Sequence, residues 1–285
     1  MKKFKTLLAL TLAAAALAGC SGSKGTDTSK DSGSDASSKV INVGATTAPH
    51  AEILEECVKP MADKGYELKI TEFSDYPYIK PATSDGSLDA NYFQHAPYLE
   101  SYNADNNLKS GDDGYLVSAG AIHYEPLGLY SKKHTSVDEA GDKMQIAVPN
   151  DATNEARALI LLQDLGLIKL DEKATISTAT VADITDNPKN LEIVEIAADQ
   201  IASKLPDVDY AVINGNYALA GGVTDAVLTT ESADSEAAKT YSNIIAVKES
   251  KKDDEAVKAL VEVLKSDDIK QFIKDKYGVS VVPSN

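Results

Sequence analysis

Along this chain, apolar residues recur at two periods that take turns. Val40 to Ala45, Glu67 to Phe73 and Met144 to Pro149 carry the short apolar or alternating runs of strands. Between such runs lie stretches whose apolar positions return every three or four residues. Ala51 to Asp63 is one, with a bend expected at Pro60; Ala96 to Asn106 is another, and so is Ala152 to Leu165, which Gly166 ends. Further strands are expected near Leu116 to His123, Leu127 to Ser131, Leu191 to Ile196, Tyr210 to Ile213, Ala226 to Thr230 and Asn243 to Val247. Asp199 to Leu205 and Asn216 to Ala220 read as short helices, and two more close the chain at about Asp253 to Lys265 and Asp268 to Lys274. This alternation predicts an α/β fold with largely parallel sheets, because parallel strands need a crossover that a helix supplies.

The N-terminal end has a different character. Lys2, Lys3 and Lys5 precede an apolar run, Thr6 to Ala18, that is too short to span a bilayer. The run ends in Leu17-Ala18-Gly19-Cys20, a small-residue cleavage site followed at once by cysteine. This resembles a bacterial lipobox, in which the cysteine becomes the lipidated mature N-terminus. Residues 1–19 are therefore expected to be a signal peptide, and lipid (palmitate) chains on Cys20 would anchor the protein to a membrane without a transmembrane helix. Residues 20–39 are Ser, Gly, Asp, Lys and Thr with almost nothing apolar, which predicts a flexible tether reaching about 25 Å.

Charge narrows the partners. The full chain carries −16, and removing residues 1–19, which takes three lysines and no acid, leaves −19. Such a surface excludes nucleic acid. With Cys20 lipidated, Cys57 has no partner; it sits among Ile53, Leu54, Val58 and Met61 at helical spacing and reads as a small core residue.

The basic residues are 27 lysines and one arginine, Arg157. A guanidinium binds a carboxylate through two parallel hydrogen bonds, which an ammonium cannot do. At about 100° per residue, Asn150, Asn154 and Arg157 fall on one polar face of the helix after Pro149, with Ala156, Leu159 and Ile160 opposite. That face lies at a helix N-terminus beyond the end of a strand, where open α/β sheets bind ligands and where an anion is favoured. Asn150 or Asp151 also fits the helix N-cap. Asn214-Gly215-Asn216-Tyr217 follows the strand Tyr210 to Ile213 and reads either as an ordinary turn or as amides placed for an amino or carboxylate group. Asn91 to His95, with Phe73 to Tyr76, mixes aromatic rings with amides, His and Asp; a dry core would reject these polar groups unless they were satisfied, so an amphipathic pocket wall fits better.

The motifs of covalent catalysis are absent: there is no G-x-S-x-G, no P-loop, no dinucleotide fingerprint and no H-E-x-x-H. No enzyme activity and no cofactor are expected. A metal site from His50, His95, His123 and a carboxylate stays open as an alternative, as does a surface lipoprotein with an adhesion or signalling role.

At several of these places the sequence resembles the methionine-binding lipoproteins of bacterial ABC importers. The matching stretches are Val43 to Thr46 with Pro49 to Leu54, Phe73 to Tyr76, Leu88 to His95, His123 to Pro126, Pro149 to Leu161, and Pro206 through Tyr217. The resemblance implies a two-lobed periplasmic-binding-protein-like fold (type II) with two crossover segments and the ligand in the interlobe cleft. One lobe would hold 40–124 plus 227–285 and the other 125–226. It also implies the contacts. Arg157, Asn150 and Asn154 would take the ligand carboxylate, and Asn214, with Asn216 and Tyr217 near it, would hold the α-amino and carboxylate end. Tyr76, Tyr92, Phe93 and His95 would line the side-chain pocket, with His123 near the lobe crossing. The partners implied are methionine or a close derivative, and the permease and ATPase subunits of an importer, met by a monomer on the extracytoplasmic face of the cell membrane. The run Pro77-Tyr78-Ile79-Lys80 departs from the Pro-Asn pair usual in the family, and Ala152 replaces a common proline.

Overall fold

The computed structural model describes residues 39–232 and 239–284; the signal peptide, Cys20 and nearly all of the tether lie outside them. Two mixed sheets form the frame. The first is built from β1 (Lys39–Thr46), β2 (Tyr66–Phe73), β3 (Ala90–His95), β4 (Leu116–Tyr124), β12 (Asn243–Lys248) and β13 (Val282–Pro283), in the order β13-β4-β12-β3-β1-β2. The second holds β5 (Gly128–Tyr130), β6 (Gln145–Pro149), β9 (Glu192–Ile196), β10 (Tyr210–Ile213) and β11 (Val227–Thr230), in the order β11-β5-β10-β6-β9. A small pair, β7 (Lys169–Leu170) with β8 (Ile184–Asp186), stands apart.

The expectation of largely parallel sheets holds for only part of each. β1 runs parallel to β2 and β3, and β6 parallel to β9 and β10. β12 is antiparallel to both β3 and β4, and β5 is antiparallel to β10 and β11. The reason is the double crossing of the chain. β4 leaves the first sheet through Glu125–Leu127 for the second, and after β11 the chain returns as β12, which inserts between β4 and β3. β11, expected with the first lobe, pairs instead with β5, so the return crossing falls after Thr230.

Helices cover the sheets where their apolar stripes require it. α1 (Glu52–Asp63) runs through Pro60 and buries Ile53, Leu54, Cys57 and Met61 against Ile41, Val43 and Ala45 of β1. α7 (Glu255–Leu264) and α8 (Asp267–Tyr277) complete that core with Leu260, Val263, Ile269 and Ile273. Cys57 is fully buried, its thiol donating to the Ile53 carbonyl, and burial pushes its pKa up to about 12. Gly44 of β1 allows the close approach of Leu88, since a Cβ there would stand 2.5 Å from Leu88 Cδ1. On the second sheet, α4 (Ala152–Asp164) packs Ala156, Leu159 and Leu162 on Ile146, Val148 and Val212, as its periodicity predicted.

A third cluster joins the two halves. Tyr76, Ile79 and Phe93 meet Tyr217, Ile201, Leu205 and Ile213, drawing on α2 (Ile79–Ser84), α5 (Ala198–Lys204) and α6 (Gly215–Ala220). Neither α2 nor β3 was expected from the sequence. β3 is buried at all six positions, so it lacks the alternation that marks a half-exposed strand. α2 is a six-residue helix with Pro81 inside it, too short to show a period.

Candidate functional site

The ends of β3, β4, β6 and β10 converge on a small, partly open cavity of about 20 Å³ between the sheets. Its walls are Tyr76, Phe93, Gln94, His95, Tyr98, Glu125, Asn154, Arg157, Asn214, Gly215, Asn216 and Asn243. The two halves touch across it. The Tyr76 hydroxyl donates to Asn216 Oδ1 at 2.6 Å, and His95 Nε2 lies 3.2 Å from Asn154 Oδ1.

Hydrogen-bond polarity is relayed into this cavity along two chains of amides. Asp151, the N-cap of α4, can only accept; it receives the Asn154 backbone N–H and both its carboxylate oxygens face Asn154 Nδ2. Asn154 therefore turns Oδ1 the other way, where it accepts from Asn214 Nδ2 at 2.8 Å. Asn214 is left presenting Oδ1, which is buried and has no partner. The second chain starts at Thr83, whose hydroxyl donates to the Ile79 carbonyl and so accepts from Asn91 Nδ2. Asn91 Oδ1 then accepts from Gln94 Nε2, and Gln94 Oε1 is the second buried atom with no partner. Two orphaned acceptors on the walls of one cavity ask for a donor, since each unsatisfied buried group costs about 1–3 kcal/mol. His95 follows the same logic: its Nδ1 accepts from the Tyr98 backbone N–H, which leaves Nε2–H to donate to Asn154. Burial and the nearby Arg157 push its pKa down to about 3, so the ring is neutral.

Arg157 is held before any ligand arrives. Its Nε reaches Glu231 Oε1 at 2.9 Å, and Nη2 reaches Glu231 Oε2 at 2.5 Å and the Glu125 carbonyl at 2.9 Å. The guanidinium carbon stands 4.3 Å from the centre of the Tyr241 ring. Glu231 also accepts from the Tyr124 hydroxyl and the Leu127 N–H. The chain's one arginine thus ties the outgoing crossing, Glu125–Leu127, to the returning one at Glu231. Burial is the largest influence on Arg157 and would lower its pKa, but Glu231 and Tyr124 together leave it raised, so the group stays charged. The charged guanidinium is one of the groups that line the cavity.

Behind the cavity lies a buried cluster that the sequence suggested in part. His50 and His123 both approach Glu125 Oε1, at 3.3 Å and 2.7 Å, within a group of possible metal ligands. His95, included in the metal alternative, lies elsewhere, on Asn154 and Tyr98. The outer ring nitrogens are engaged too: His50 Nδ1 with Thr46 Oγ1, His123 Nδ1 with the Tyr92 hydroxyl, while His50 Nε2 also meets Asn243 Oδ1. Burial pulls His50 to about 4 and His123 to about 3, and raises Glu125. The cluster is complete as a hydrogen-bonded strut under the first crossing.

Among the site residues expected from the sequence, Tyr76, Phe93, His95, Asn154, Arg157, Asn214 and Asn216 line the cavity. Tyr217 packs against Tyr76 with ring centres 4.7 Å apart and planes tilted by 40°, and faces an adjoining groove. Tyr92 and His123 point into the strut behind the wall. Asn150 is exposed: α4 begins only at Ala152, and the extended Asp151 at its N-cap takes Asn150 off the helical face that uniform 100° steps implied. Gln94, Tyr98, Glu125 and Asn243 were missed as site residues, although Gln94 lay inside the run that mixes rings with amides and Glu125 inside a stretch of family resemblance. The departing run Pro77–Lys80 leads into α2 and places Lys80 against Tyr98.

Two sheets joined by two crossings, with a polar cavity between them, define a solute-binding protein of the periplasmic-binding class. Residues 41–285 match the NlpA lipoprotein family, and the chain belongs to that family. It is 39% identical to the methionine-binding lipoprotein MetQ of Bacillus subtilis (strain 168), over 99% of both chains. It is 42% identical to the D-methionine-binding lipoprotein MetQ of Escherichia coli (strain K12), over 80% of this chain and 82% of that one. A nutrient-binding protein from Burkholderia cenocepacia, solved bound to methionine, superposes with a TM-score of 0.79 at 42% identity, covering 86% of this chain and all of the other. The family is one of substrate-binding lipoproteins held at the membrane on its extracytoplasmic side, and not of enzymes.

Proposed function

We propose that this protein captures methionine in the cavity between its sheets and hands it to the membrane permease of an ATP-driven importer. The observation that carries this reading is the polarity of the cavity. Arg157 offers a cationic group for a carboxylate, while Asn214 Oδ1 and Gln94 Oε1, with Glu125 beside them, offer acceptors for an ammonium. Such a pair of ends fits an α-amino acid zwitterion. Tyr76, Phe93 and Tyr98 supply an aromatic wall for a thioether, whose sulfur is favourable at ring edges. Likeness to a methionine-binding and a D-methionine-binding lipoprotein supports the same ligand. Methionine has about nine heavy atoms, and a ceiling near 1.5 kcal/mol for each allows nanomolar binding.

Cys20 is proposed as the lipidated residue, with residues 20–39 as the tether and the folded part a monomer. Radiolabelled palmitate incorporation, lost in Cys20→Ala, tests the anchor.

Titration calorimetry with L-methionine, D-methionine, N-acetylmethionine and methionine methyl ester tests the ligand. Free methionine should bind, and capping either end should abolish binding. If N-acetylmethionine bound as tightly as methionine, the ammonium assignment would be wrong. Zinc or manganese raising the melting temperature when methionine does not would favour the metal alternative.

A further inference from the structure

Lys80 is a buried cation without an ion pair. Only 5% of it is exposed, and among the described residues no carboxylate lies within salt-bridge distance. Its ammonium is held instead by one residue of α3 (Ala96–Asp105). Nζ donates to the Tyr98 carbonyl at 2.9 Å and stands 3.0 Å from the centre of the Tyr98 ring, with Tyr102 farther off at 5.3 Å. Tyr98 in turn lines the ligand cavity and touches Tyr76, Phe93 and His95, with ring centres 5.7, 6.2 and 6.1 Å away.

We propose that Lys80 is a positioning residue for the ligand pocket: its ammonium pins both the ring and the main chain of Tyr98, and so fixes the aromatic wall that receives the ligand side chain. The inference rests on the methionine reading above. The Tyr98 main chain is also held by α3 and by its N–H bond to His95 Nδ1, so what Lys80 adds is chiefly control of the ring. Tyr98 begins only three residues past the strand end at His95, and its ring meets the wall through faces and edges that carry no directional hydrogen bond. A cation on the ring together with a donor on the carbonyl fixes two points of one residue, which restricts both its side chain and its backbone.

The arrangement carries a pH dependence, because a neutral amine keeps the hydrogen bond to the carbonyl but loses the attraction to the ring. Burial draws the pKa of Lys80 down to about 7, against the opposing pull of Asp151, just before α4, and Asp105, at the end of α3. The other titratable neighbours stay in one form near neutrality: His95 is neutral down to about 3, and burial holds the Tyr98 phenol protonated. Tyr102 is the remaining ring that faces the ammonium. The pin is therefore full in mildly acidic solution and slackens as pH rises through neutrality.

The test compares wild type, Lys80→Met and Lys80→Arg in the full-length protein. The chain has no tryptophan, so tyrosine fluorescence of the ligand-free protein sums its 13 tyrosines, and the difference between wild type and Lys80→Met isolates the part that depends on Lys80. Wild type should show a fluorescence step centred near pH 7 that Lys80→Met lacks. In calorimetry, wild type should lose about three- to thirtyfold in methionine affinity between about pH 6 and about pH 8.5, the range expected for a partly desolvated cation–π contact. Lys80→Met should be flat and, lacking the carbonyl hydrogen bond as well, at least as weak at the lower pH as wild type at the higher one, and Lys80→Arg should be flat because its charge does not titrate. Identical pH profiles and affinities in wild type and Lys80→Met would overturn the proposal. Should methionine bind none of the three proteins, the ligand reading fails by itself, and the fluorescence step then decides for the pin if present only in wild type and against it if absent there. Should Lys80→Met not fold, the contrast between wild type and Lys80→Arg decides: parallel profiles overturn the pin, a flat Lys80→Arg profile supports it.

Discussion

Arg157 and Glu231, 74 residues apart, form a buried ion pair that closes the two crossings between the sheets onto each other. Replacing the arginine by lysine removes the fork that reaches Glu231 twice and the Glu125 carbonyl once. Breaking a buried pair typically costs about 3–5 kcal/mol because the remaining charge is stranded, and lysine would recover only part of it. Arg157→Lys should therefore lower the melting temperature of the ligand-free protein and weaken methionine binding at least tenfold. A lowered melting temperature with unchanged affinity in calorimetry would confine Arg157 to the crossings and remove it from the ligand.

Glu231 separates those two roles. It touches the crossings through Tyr124, Leu127 and Arg157 but does not line the cavity. Glu231→Gln keeps the shape and removes the counter-charge, so stability should fall by roughly 2–4 kcal/mol in denaturant titration. Methionine should then restore much of it, since the ligand carboxylate would supply the missing charge. A variant no more stabilised by saturating methionine than wild type would count against carboxylate binding at Arg157.

The two orphaned acceptors predict an unusual trade. Gln94→Met keeps the volume, loses one hydrogen bond to Asn91 and removes an unsatisfied oxygen from the cavity wall. The ligand-free protein should change by less than about 1 kcal/mol, because the two effects oppose each other. Methionine affinity should drop by about tenfold or more, because a charged donor loses its acceptor. Chemical denaturation read beside calorimetry checks both halves; equal losses in stability and affinity would argue for a purely structural glutamine.

Tyr76→Phe removes the hydroxyl that bridges the sheets to Asn216. An affinity loss of about five- to fiftyfold is expected for a buried amide left without its donor. Small-angle scattering of the ligand-free variant should show a larger radius than wild type, and an unchanged radius would mean that this bond does not hold the halves together.

Stability should also depend on acidity in a direction fixed by the buried histidines. His50, His95 and His123 have folded pKa values of about 4, 3 and 3, well below the value of about 6.5 expected in the unfolded chain. Between these limits the unfolded state binds more protons, so their contribution is whole above about pH 6.5 and is lost as pH falls through the folded values. Glu125, raised by burial, pulls the opposite way, but it is one group against three. Lys80, lowered to about 7, adds stability as pH rises above neutrality. Thermal melts should therefore fall steadily from about pH 6.5 to about pH 4, and His95→Gln should flatten that fall. A melting temperature constant over this interval would mean that the histidines are not neutral in the folded protein.

Much of this could be read from the chain before any fold was known. The periods placed most strands and helices within a residue or two, because those elements carry either an apolar face at a regular period or, as in β10, an unbroken apolar run. Arg157 and Asn154 share a helical face, and that spacing is local, so it was legible from the sequence. β3 was not legible, because it is buried on both sides yet carries Asn91, Gln94 and His95, so it shows neither alternation nor an unbroken apolar run. Nor was Asn150's place, since the backbone turns at Asp151 before the helical period begins.

The sequence by itself therefore determined the α/β plan, the export signal and tether as an expectation, and a polar helix face bearing the one arginine. Tertiary structure decided what that arginine is paired with, which amide oxygens are left for a ligand, and where Lys80 is buried. The physical reason is that hydrogen-bond polarity and charge pairing pass through contacts between residues distant in the chain. Asn214 presents its oxygen to the cavity because Asp151, 63 positions earlier, can only accept. No local period encodes a relay of that kind.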